Sequence, residues 1–579
     1  MQGFAASRSA QSGLQSGPFS GPQTETFLVG GANLSRKIGR NCGGLCNAVV
    51  AVLFISAGVL LASGQTAVST YHYDNNRTGW NQHETVLTPA NVGSNSFGHL
   101  KTIDLDDQVD AQPLVVPGVL ITAGKYQGTH DVVYVATEGD KVYAIDVHTG
   151  DVLLSPKFGT PVPYPFGCNN NGPNLGITST PVIDLSSNTL YAMIYTEEKT
   201  GPAYHLHALD LGSLTDKVKP QLVTASHTLT DGTTFNFNAK YQRQRPALLL
   251  ANGSVYAGFG SFCDLEAKFS RGWLLGWTAG SLVPFPSNQL NDQQASDQND
   301  FFLSSIWMAG YGPSTDDEGS VLFVTGNSDH SGNTYDGITN IQESVVKVSS
   351  TLGTVLDLFT PMNWAELDEH DDDFGSGGVM VLPDQPGSIP HLAVAAGKVG
   401  TMFLMNEDNL GGYSPTKNNV LGSYDIGNCW CGPSYFEGPA GAGRVVSSGG
   451  HEVEVWKVQT SPTVALTRIA EASANNNTSQ DPGFFTTVSS SGKNSPIIWA
   501  LSRPPNTPQA PIKLFAFNPE SGGQTMKTLF QGTAGNWPNI TGDANLVPVV
   551  ANGEVFVASH NQLRIFGMTG GKSSSTKKK

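Results

Sequence analysis

The chain has 579 residues, of which 39% are hydrophobic and only 14% are charged, with 66 glycines and 34 prolines. A turn-rich chain with so few charged residues favours an all-β fold over helices with charged outer faces. The formal net charge of −16 and the isoelectric point of about 5.2 argue against nucleic acid as a partner.

Residues 1–64 are predicted to be an N-terminal extension and secretory signal. A basic stretch from Arg36 to Arg40 precedes an apolar run over residues 48–62, which small residues follow. The run is about 15 residues long, shorter than the about 20 that a spanning helix needs, and an uncleaved anchor is the alternative interpretation. We therefore expect export to the periplasm or the extracellular space, and no membrane-spanning segment after cleavage.

Four cysteines follow the predicted signal, and export allows them to form disulfides. They are Cys168, Cys263, Cys429 and Cys431. Four cysteines allow three pairings. One of these joins Cys168 to Cys263 and leaves Cys429 and Cys431 to close a tight loop around Trp430.

A short pattern recurs along residues 65–568, in which a turn with Asp or Asn and then Ser, Thr or Gly separates two apolar strands. Copies include VYAIDVHTGDVLL, HLHALDLGSLTDKV, VVKVSSTLGTVLD and LFAFNPESGGQTM. Short strands at regular spacing are typical of radially arranged sheets, and units of roughly 60 to 70 residues leave room for inserted loops. We predict an all-β, eight-bladed β-propeller of four-stranded antiparallel blades. A parallel β-helix is the competing architecture, although its repeats are much shorter.

The predicted ring closes with a strand from the beginning of the mature chain. The segment HLKTIDLDDQ, residues 99–108, is expected to complete the last sheet, because ring closure removes exposed strand edges. Residues 569–579 form a basic tail without a core-forming residue, which predicts disorder there.

Three aspartates, Asp371, Asp372 and Asp373, lie together in ELDEHDDDFGSGGVMVLPD, directly before glycines and an apolar strand. Carboxylates a few ångströms apart repel and raise one another's pKa. Such a cluster needs either full solvation or a cation to hold it together. The residues alone leave both interpretations open.

The segment Ala144–Gly150 has the pattern A-x-D-x-x-T-G, which resembles the repeat of the quinoprotein alcohol dehydrogenase-like propellers. The resemblance runs from YDNNRTGWNQ at Tyr73 through DAQPLVV at Asp110 to the last predicted blade. It is closest to secreted PQQ-like repeat proteins, which are named after pyrroloquinoline quinone (PQQ). The segments that carry this resemblance are QRPALLLANGSVYAGFGSFCD, SIWMAGYGP, FVTGNSD and AAGKVGTMFL. It implies a secreted oxidoreductase that uses PQQ and Ca²⁺ to oxidise an alcohol or a sugar.

The resemblance also implies roles for individual residues. Asp373 matches the general base and Lys398 matches the residue that holds the quinone oxygens, so both are predicted catalytic residues. The predicted cofactor contacts are Trp307, Asp110 and Lys398, and the predicted metal ligands are Asn327, Asp373 and Asp371. Because the sequence has no Cys-x-x-Cys-His haem site, electrons are expected to leave to a separate acceptor.

Several residues depart from the family's pattern. The adjacent cysteine pair that covers the cofactor is absent, and Cys168 stands alone in FGCNNNGPNLG without the arginine expected after it. Arg243 and Arg245 stand where the dehydrogenases have a threonine before a proline. The metal-binding glutamate has only Asp264 and Glu266 as approximate candidates. These departures favour the alternative function, a non-catalytic propeller that binds a protein or glycan or assists envelope assembly.

Each candidate also has an interpretation that needs neither PQQ nor Ca²⁺. Asn327 suits a turn, Lys398 a solvated strand edge or a bound anion, and Trp307 the core. The two arginines before Pro246 can pair with nearby acidic residues. His205 and His207 alternate along one strand face in HLHALD, a spacing that can bind a metal when a third ligand is near.

Overall fold

The computed structural model describes residues 64–163, 172–264, 266–286, 295–450, 452–474, 483–502, 510–538 and 546–570. Apart from Gly64, the predicted N-terminal extension and signal lie outside the described residues, and so does the predicted tail beyond Gly570. Across these described ranges, no helix is long and apolar enough to cross a membrane.

Eight sheets follow one another along the chain, which confirms the predicted eight-bladed β-propeller. Two strands and a short helix precede the first blade: β1 (Trp80–Asn81), α1 (Pro89–Val92) and β2 (Phe97–Asp104). Blade 1 consists of β3 (Leu114–Ile121), β4 (Gly128–Ala136), β5 (Val142–Asp146) and β6 (Val152–Leu154). In the turn after β5, Asp146 Oδ1 accepts a hydrogen bond from Thr149 N at 2.7 Å, and Gly150 has a φ of 80°. The A-x-D-x-x-T-G pattern is therefore a turn signal, because only glycine adopts such a φ without strain.

Blades 2 and 3 follow, with two ribbons between strands. The ribbons are β7 (Val162–Pro163) with β8 (Asn174–Leu175), and β13 (Ser226–Thr228) with β14 (Thr234–Asn236). Blade 2 contains β9 (Val182–Asp184), β10 (Thr189–Glu198), β11 (Gly201–Asp210) and β12 (Gln221–Leu222). Blade 3 contains β15 (Gln242–Arg243), β16 (Leu249–Ala251), β17 (Ser254–Ser261) and β18 (Trp273–Thr278), with helix α2 (Ala267–Ser270) before β18.

Blades 4 and 5 share an added strand and the longest helix described. A small parallel pair, β19 (Phe302–Leu303) with β22 (Asn340–Ile341), flanks blade 4. Blade 4 contains β20 (Ser314–Thr315), β21 (Val321–Val324), β23 (Val345–Val348) and β24 (Val355–Thr360), and β28 (Gly412–Tyr413) joins β24 in parallel as a fifth strand. Helix α3 (Trp364–His370) leads to blade 5, which contains β25 (Val379–Val381), β26 (Leu392–Ala396), β27 (Thr401–Asn406) and β29 (Gly422–Asp425).

The last three blades close the ring. Blade 6 contains β30 (Ser434–Glu437), β31 (Gly443–Gly449), β32 (Glu452–Gln459) and β33 (Ala465–Ser473). Blade 7 contains β34 (Phe485–Ser491), β35 (Asn494–Leu501), β36 (Ala510–Asn518) and β37 (Lys527–Trp537), with β1 added in parallel. Blade 8 contains β38 (Val549–Ala551), β39 (Glu554–Ser559) and β40 (Gln562–Met568). Its fourth strand is β2, as expected for the segment at 99–108, and this pairing covers the edge of β40.

The hydrophobic core is divided among the interfaces between neighbouring blades. Eight buried clusters each lie mainly between two adjacent blades, and the cluster around Val133 and Phe556 joins blade 1 to blade 8. Since both faces of a blade pack on neighbours, strand interiors such as V-V-Y-V-A in β4 are buried on both sides. This explains why those strands are continuously apolar instead of alternating.

One segment before the first blade, residues 68–83, contacts the inner-edge strands of the blades in turn, and we call it the axial segment. Its Asn75 and Asn76 carbonyls accept hydrogen bonds from Thr315 N at 2.9 Å and Val381 N at 3.0 Å. Its bonded partners in blades 1 to 8 are Val115, Ile183, Leu250, Thr315, Val381, Tyr435, Val488 and Val550. A single short stretch therefore ties all eight blades together at the centre of the ring.

Arg77 is the fully buried charge at the middle of the axial segment. Its guanidinium donates to the carbonyl oxygens of Pro313 at 2.9 Å, Tyr71 at 2.9 Å and Leu248 at 3.1 Å, and to the Thr70 hydroxyl at 2.8 Å. Burial lowers the pKa of Arg77 to about 10, although nearby acidic groups oppose that shift. The side chain thus stays charged at neutral pH, and its direct hydrogen bonds are mainly to carbonyl oxygens, with the charge of Asp74 adding to them.

Asp140, in the turn between β4 and β5, is buried, and neither of its carboxylate oxygens accepts a hydrogen bond. Burial raises the pKa of Asp140 to about 8, against the lowering effect of Lys157. Because the folded state holds this proton more tightly, its contribution to stability is fully present below about pH 4 and is lost as the pH rises towards 8.

Replacing Asp140 by asparagine is therefore expected to raise the free energy of unfolding at pH 8 by about 1–3 kcal/mol and to change it little at pH 4. Urea unfolding at pH 4, 6 and 8 measures the difference. The matched control is Asp317→Asn, at an exposed acid, which should leave the curve unchanged at each pH. An Asp140→Asn effect of the same size at all three pH values would contradict this assignment.

Candidate functional site

A cavity of about 390 Å³ opens where connections from blades 3 to 6 meet. Small-molecule sites in proteins have volumes of roughly 300–1,000 Å³. The charged side chains of this pocket include Arg243, Arg245, Asp264, Asp371, Asp373 and Lys398, and its aromatic side chains are Trp307 and Trp430. Most of the residues that the sequence singled out are therefore brought together from positions far apart in the chain.

The three aspartates of the acidic cluster have different environments. Asp371 follows the last residue of helix α3, and its φ of 58° ends the helix. The Asp371 side chain is 73% exposed. Asp373, two residues later, is 1% exposed. Asp373 Oδ1 accepts a hydrogen bond from Asn327 N at 2.6 Å, and Asp373 Oδ2 is 2.7 Å from Lys398 Nζ. The cluster is held by a cation after all, and that cation is the Lys398 ammonium group.

Lys398, in the connection between β26 and β27, has only 7% of its side chain exposed, so it is not a solvated strand edge. Besides Asp373, its Nζ donates to Asp371 O at 2.7 Å and to Asp371 Oδ1 at 2.8 Å. Burial lowers the pKa of Lys398, but the charges of the two aspartates outweigh burial and raise it above its ordinary value. The ammonium group is therefore charged and placed at the pocket wall.

Asn327 follows β21 and presents its carboxamide to the same wall. Its Nδ2 donates to Asp371 Oδ1 at 3.1 Å, whereas its Oδ1 is buried and accepts no hydrogen bond. A buried acceptor without a donor is unfavourable unless a ligand satisfies it. This oxygen is the clearest sign that the pocket is built for a group with positive charge or a donor hydrogen.

Of the two approximate candidates for the metal-binding glutamate, the structure places only one in the pocket. Asp264 lines it, and burial followed by the charge of Asp373 raises the pKa of Asp264 to about 7. Glu266 instead pairs with Lys268 at 2.8 Å, where both side chains are about half exposed.

Of the remaining predicted residues, some line the pocket and others do not. Trp307 is half-buried at the pocket wall, with the Arg245 guanidinium 5.6 Å and Lys398 Nζ 5.5 Å from its ring centroid. Asp110 does not line the pocket and instead hydrogen-bonds the buried Glu138, whose pKa is raised by burial and then by Asp110. Arg243 contributes to both the pocket and the surroundings of Glu138. It lines the pocket, and its charge also lowers the pKa of Glu138.

The histidine pair on β11 lies apart from the pocket. His205 Nε2 is 2.7 Å from Glu198, and His207 Nδ1 is 2.9 Å from Asp216. Each ring thus has a carboxylate partner of its own on the outer part of blade 2. This arrangement gives the pair a structural role.

Two residues were not assigned a role from the sequence: Glu343, which lies behind the pocket wall next to Asp373, and Trp430, which lines the pocket. Glu343 is fully buried with a φ of 50°, and its Oε2 accepts a hydrogen bond from Phe374 N, directly after Asp373, at 2.5 Å. Burial and then the charge of Asp373 raise the pKa of Glu343 well above its ordinary value. Nothing in N-I-Q-E-S-V-V distinguishes this residue from a surface glutamate. Trp430 did have a signal, the spacing of the cysteines around it.

Cys429 and Cys431 are joined by a disulfide, one of the pairings open from the sequence. Cys168, the partner that this pairing leaves for Cys263, lies outside the described residues. The disulfide closes a loop of one residue, and Trp430 projects from that loop to the pocket.

The donor set suits a hard cation such as Ca²⁺, which prefers carboxylate and amide oxygens. Asn327 Oδ1, Asp371 and Asp373 supply three such oxygens, and the unsatisfied amide oxygen fits the group best. A cation here would share both aspartates with Lys398. Among the described residues, tighter convergences of three acidic or histidine side chains lie elsewhere, around Glu407 and around Glu454.

Comparisons with known proteins support the fold. No protein-family model matches the chain, and no curated protein does. Among solved structures, the quinohemoprotein alcohol dehydrogenase of Comamonas testosteroni is 14% identical, covering 88% of this chain and 82% of that chain with a TM-score of 0.53. A quinohemoprotein alcohol dehydrogenase of Pseudomonas putida HK5 is 12% identical, covering 88% and 81% with a TM-score of 0.50.

A europium-containing methanol dehydrogenase is also similar. It is 10% identical, covers 86% of this chain and 98% of that chain, and has a TM-score of 0.52. Identities this low establish the fold and leave the activity to be argued from the pocket. The chain therefore has a β-propeller fold similar to the fold of these three dehydrogenases.

Proposed function

We propose that this chain is an exported oxidoreductase that binds PQQ with Ca²⁺ in the pocket and oxidises a small alcohol or sugar. The observation that carries the proposal is the buried Asp373–Lys398 pair beside the unsatisfied Asn327 oxygen, in the wall of a cavity of suitable size. A carboxylate next to a fixed ammonium and an oxygen ligand is the arrangement that alcohol oxidation by a quinone requires.

Each pocket residue has a distinct part in this proposal. The Asp373 carboxylate, with Oδ2 2.7 Å from Lys398 Nζ, can accept the proton of the substrate hydroxyl. Lys398, Arg243 and Arg245 bring positive charge to a ligand that carries carboxylates and carbonyl oxygens. PQQ, when bound, supplies the ring that accepts the hydride.

The ion would be held by Asn327 Oδ1 with Asp371 and Asp373, and Asp264 faces the same space. Ca²⁺ at this place supplies Lewis-acid polarisation of a neighbouring oxygen. Since the chain carries no haem motif, a separate acceptor takes the electrons.

Asp373→Asn is expected to lower dye-coupled oxidation by about 10²–10⁴-fold, because the amide cannot take the substrate proton. The assay uses the mature chain loaded with PQQ and Ca²⁺ against a panel of alcohols and aldoses. Asp372→Asn is the matched control, since this neighbouring residue does not line the pocket, and it should keep full activity. Equal activity of both variants would place the base elsewhere.

A second candidate function is a non-catalytic propeller that binds a protein or glycan. The observation that favours it is the direct contact of Trp307 with Trp430, whose ring centroids are 5.3 Å apart at 69°. Two tryptophans in edge-to-face contact do not leave a flat slot between them. Calorimetric titration with PQQ, with and without Ca²⁺, separates the two functions, because the second expects no binding in either condition.

A further inference from the structure

The connection from blade 5 to blade 6 contains the disulfide loop Cys429–Trp430–Cys431. Among the described residues, this loop is the part of the connection that contributes to the pocket wall. Both cysteines are buried, with 0% and 2% of their surface exposed, whereas Trp430 is half-buried and faces the cavity. A disulfide across a single residue leaves the backbone between its ends little freedom. The indole is thus presented from a rigid support.

The loop contacts Lys398 through a backbone hydrogen bond and through the Trp430 side chain. Cys429 N donates to Lys398 O at 3.2 Å, and Lys398 Nζ lies 4.5 Å from the centroid of the Trp430 ring. The same ammonium is 5.5 Å from the centroid of the Trp307 ring, which contacts Trp430. Ser376 Oγ also donates to Cys429 O at 3.3 Å, which ties the loop to the turn that follows Asp373.

We propose that this loop covers Lys398. Trp430 is a positioning residue that keeps the Lys398 ammonium in contact with Asp371 and Asp373, and its indole also contacts a ligand bound in the pocket. An ammonium over an indole face is stabilised by the ring's negative face, most strongly where water is excluded. The indole also excludes water from the third side of the ammonium, where neither carboxylate lies. The ligand contact rests on the proposed function, whereas the hold on Lys398 does not.

The hold on Lys398 is tested by amine acetylation of the unliganded protein, with the modification of each lysine followed by mass spectrometry. In the wild-type protein Lys398 should react far more slowly than Lys268, whose side chain is 50% exposed. Trp430→Ala should accelerate acetylation of Lys398 about tenfold, which corresponds to the loss of one partly desolvated cation–π contact. Trp430→Phe should keep the wild-type rate, because a ring face remains.

Removing the disulfide gives a second, independent variant. Cys429→Ser with Cys431→Ser keeps Trp430 but frees its support, and should also accelerate acetylation of Lys398 while that of Lys268 stays constant. A general loss of folding would also accelerate acetylation of Lys347, whose side chain is only 12% exposed, so the Lys347 rate distinguishes the two causes. An unchanged Lys398 rate in Trp430→Ala would overturn the proposal.

The ligand contact is tested by calorimetry with PQQ and CaCl₂. Trp430→Ala should weaken PQQ binding about tenfold and Trp430→Phe much less, because stacking on an aromatic face requires a ring but not an indole. Equal affinity of all three proteins would overturn the ligand contact. If PQQ does not bind even to the wild-type protein while the acetylation rates follow the expectation, the cover stands and the proposed function fails.

Discussion

Replacing Arg77 by methionine is expected to lower the free energy of unfolding by about 3–5 kcal/mol, the range found when one side of a buried charge network is removed. Methionine fills a similar volume but donates no hydrogen bond. The carbonyl oxygens of Pro313, Tyr71 and Leu248 would be left buried without their donor. Because the axial segment binds every blade, the loss should affect the whole ring rather than one blade.

Chemical unfolding followed by tryptophan fluorescence and by circular dichroism measures this effect. Both signals should shift to lower denaturant together, since the variant weakens a contact common to all blades. Arg564→Met is the control, because Arg564 lies on β40 away from the axial segment and is only partly buried, so a loss within about 1 kcal/mol is expected there. A loss of similar size in the two variants would mean that the axial segment does not carry the ring.

The architecture was predictable because its signals are local. Several blades repeat a turn related to the one between Asp146 and Gly150, in which the side chain and the glycine both act within five residues. The spacing of these turns gives the number of blades, and ring closure by β2 then follows from the need to cover an edge. The fifth strands of blades 4 and 7 were not predicted, since β1 and β28 are two residues long and have no pattern of their own.

The axial segment shows why other parts could not be predicted. The stretch from Tyr71 to Asn81 contains aromatic, charged and amide residues in no periodic order, and its partners lie up to several hundred residues away. A sequence pattern reports periodicity along the chain and contains no information about such distant partners. The sequence alone therefore does not distinguish Arg77 from an ordinary surface arginine, and only the folded structure shows that the blades bury it.

The pocket was predictable in part, for a related reason. Asn327, Asp373 and Lys398 each follow or precede a buried strand, so the propeller brings them to one place as their motifs predict. Asp110 has an equally good motif but lies beside Glu138 instead, because it precedes blade 1 whereas the pocket is lined by connections of blades 3 to 6. These roles remain predictions, and the positions alone are established.

The strongest test of the pocket's electrostatics is Lys398→Met, which should lower the free energy of unfolding by about 3–5 kcal/mol at neutral pH. The variant leaves the Asp373 carboxylate, with 2% of its side chain exposed, without its counter-charge. Asp373→Asn should be milder, at about 1–2 kcal/mol, because Lys398 keeps two acceptors on Asp371 and the asparagine side chain can still accept from Asn327 N.

The double variant Asp373→Asn with Lys398→Met should be more stable than Lys398→Met alone, since it contains no uncompensated buried charge. Urea unfolding of the four proteins gives the coupling energy directly. Lys268→Met is the matched control, because its pair with Glu266 is about half exposed and should contribute less than about 1 kcal/mol. If the single and double variants lose stability additively, Asp373 and Lys398 do not interact in solution, and Asp373 then lacks the fixed counter-charge on which its proposed role as the base depends.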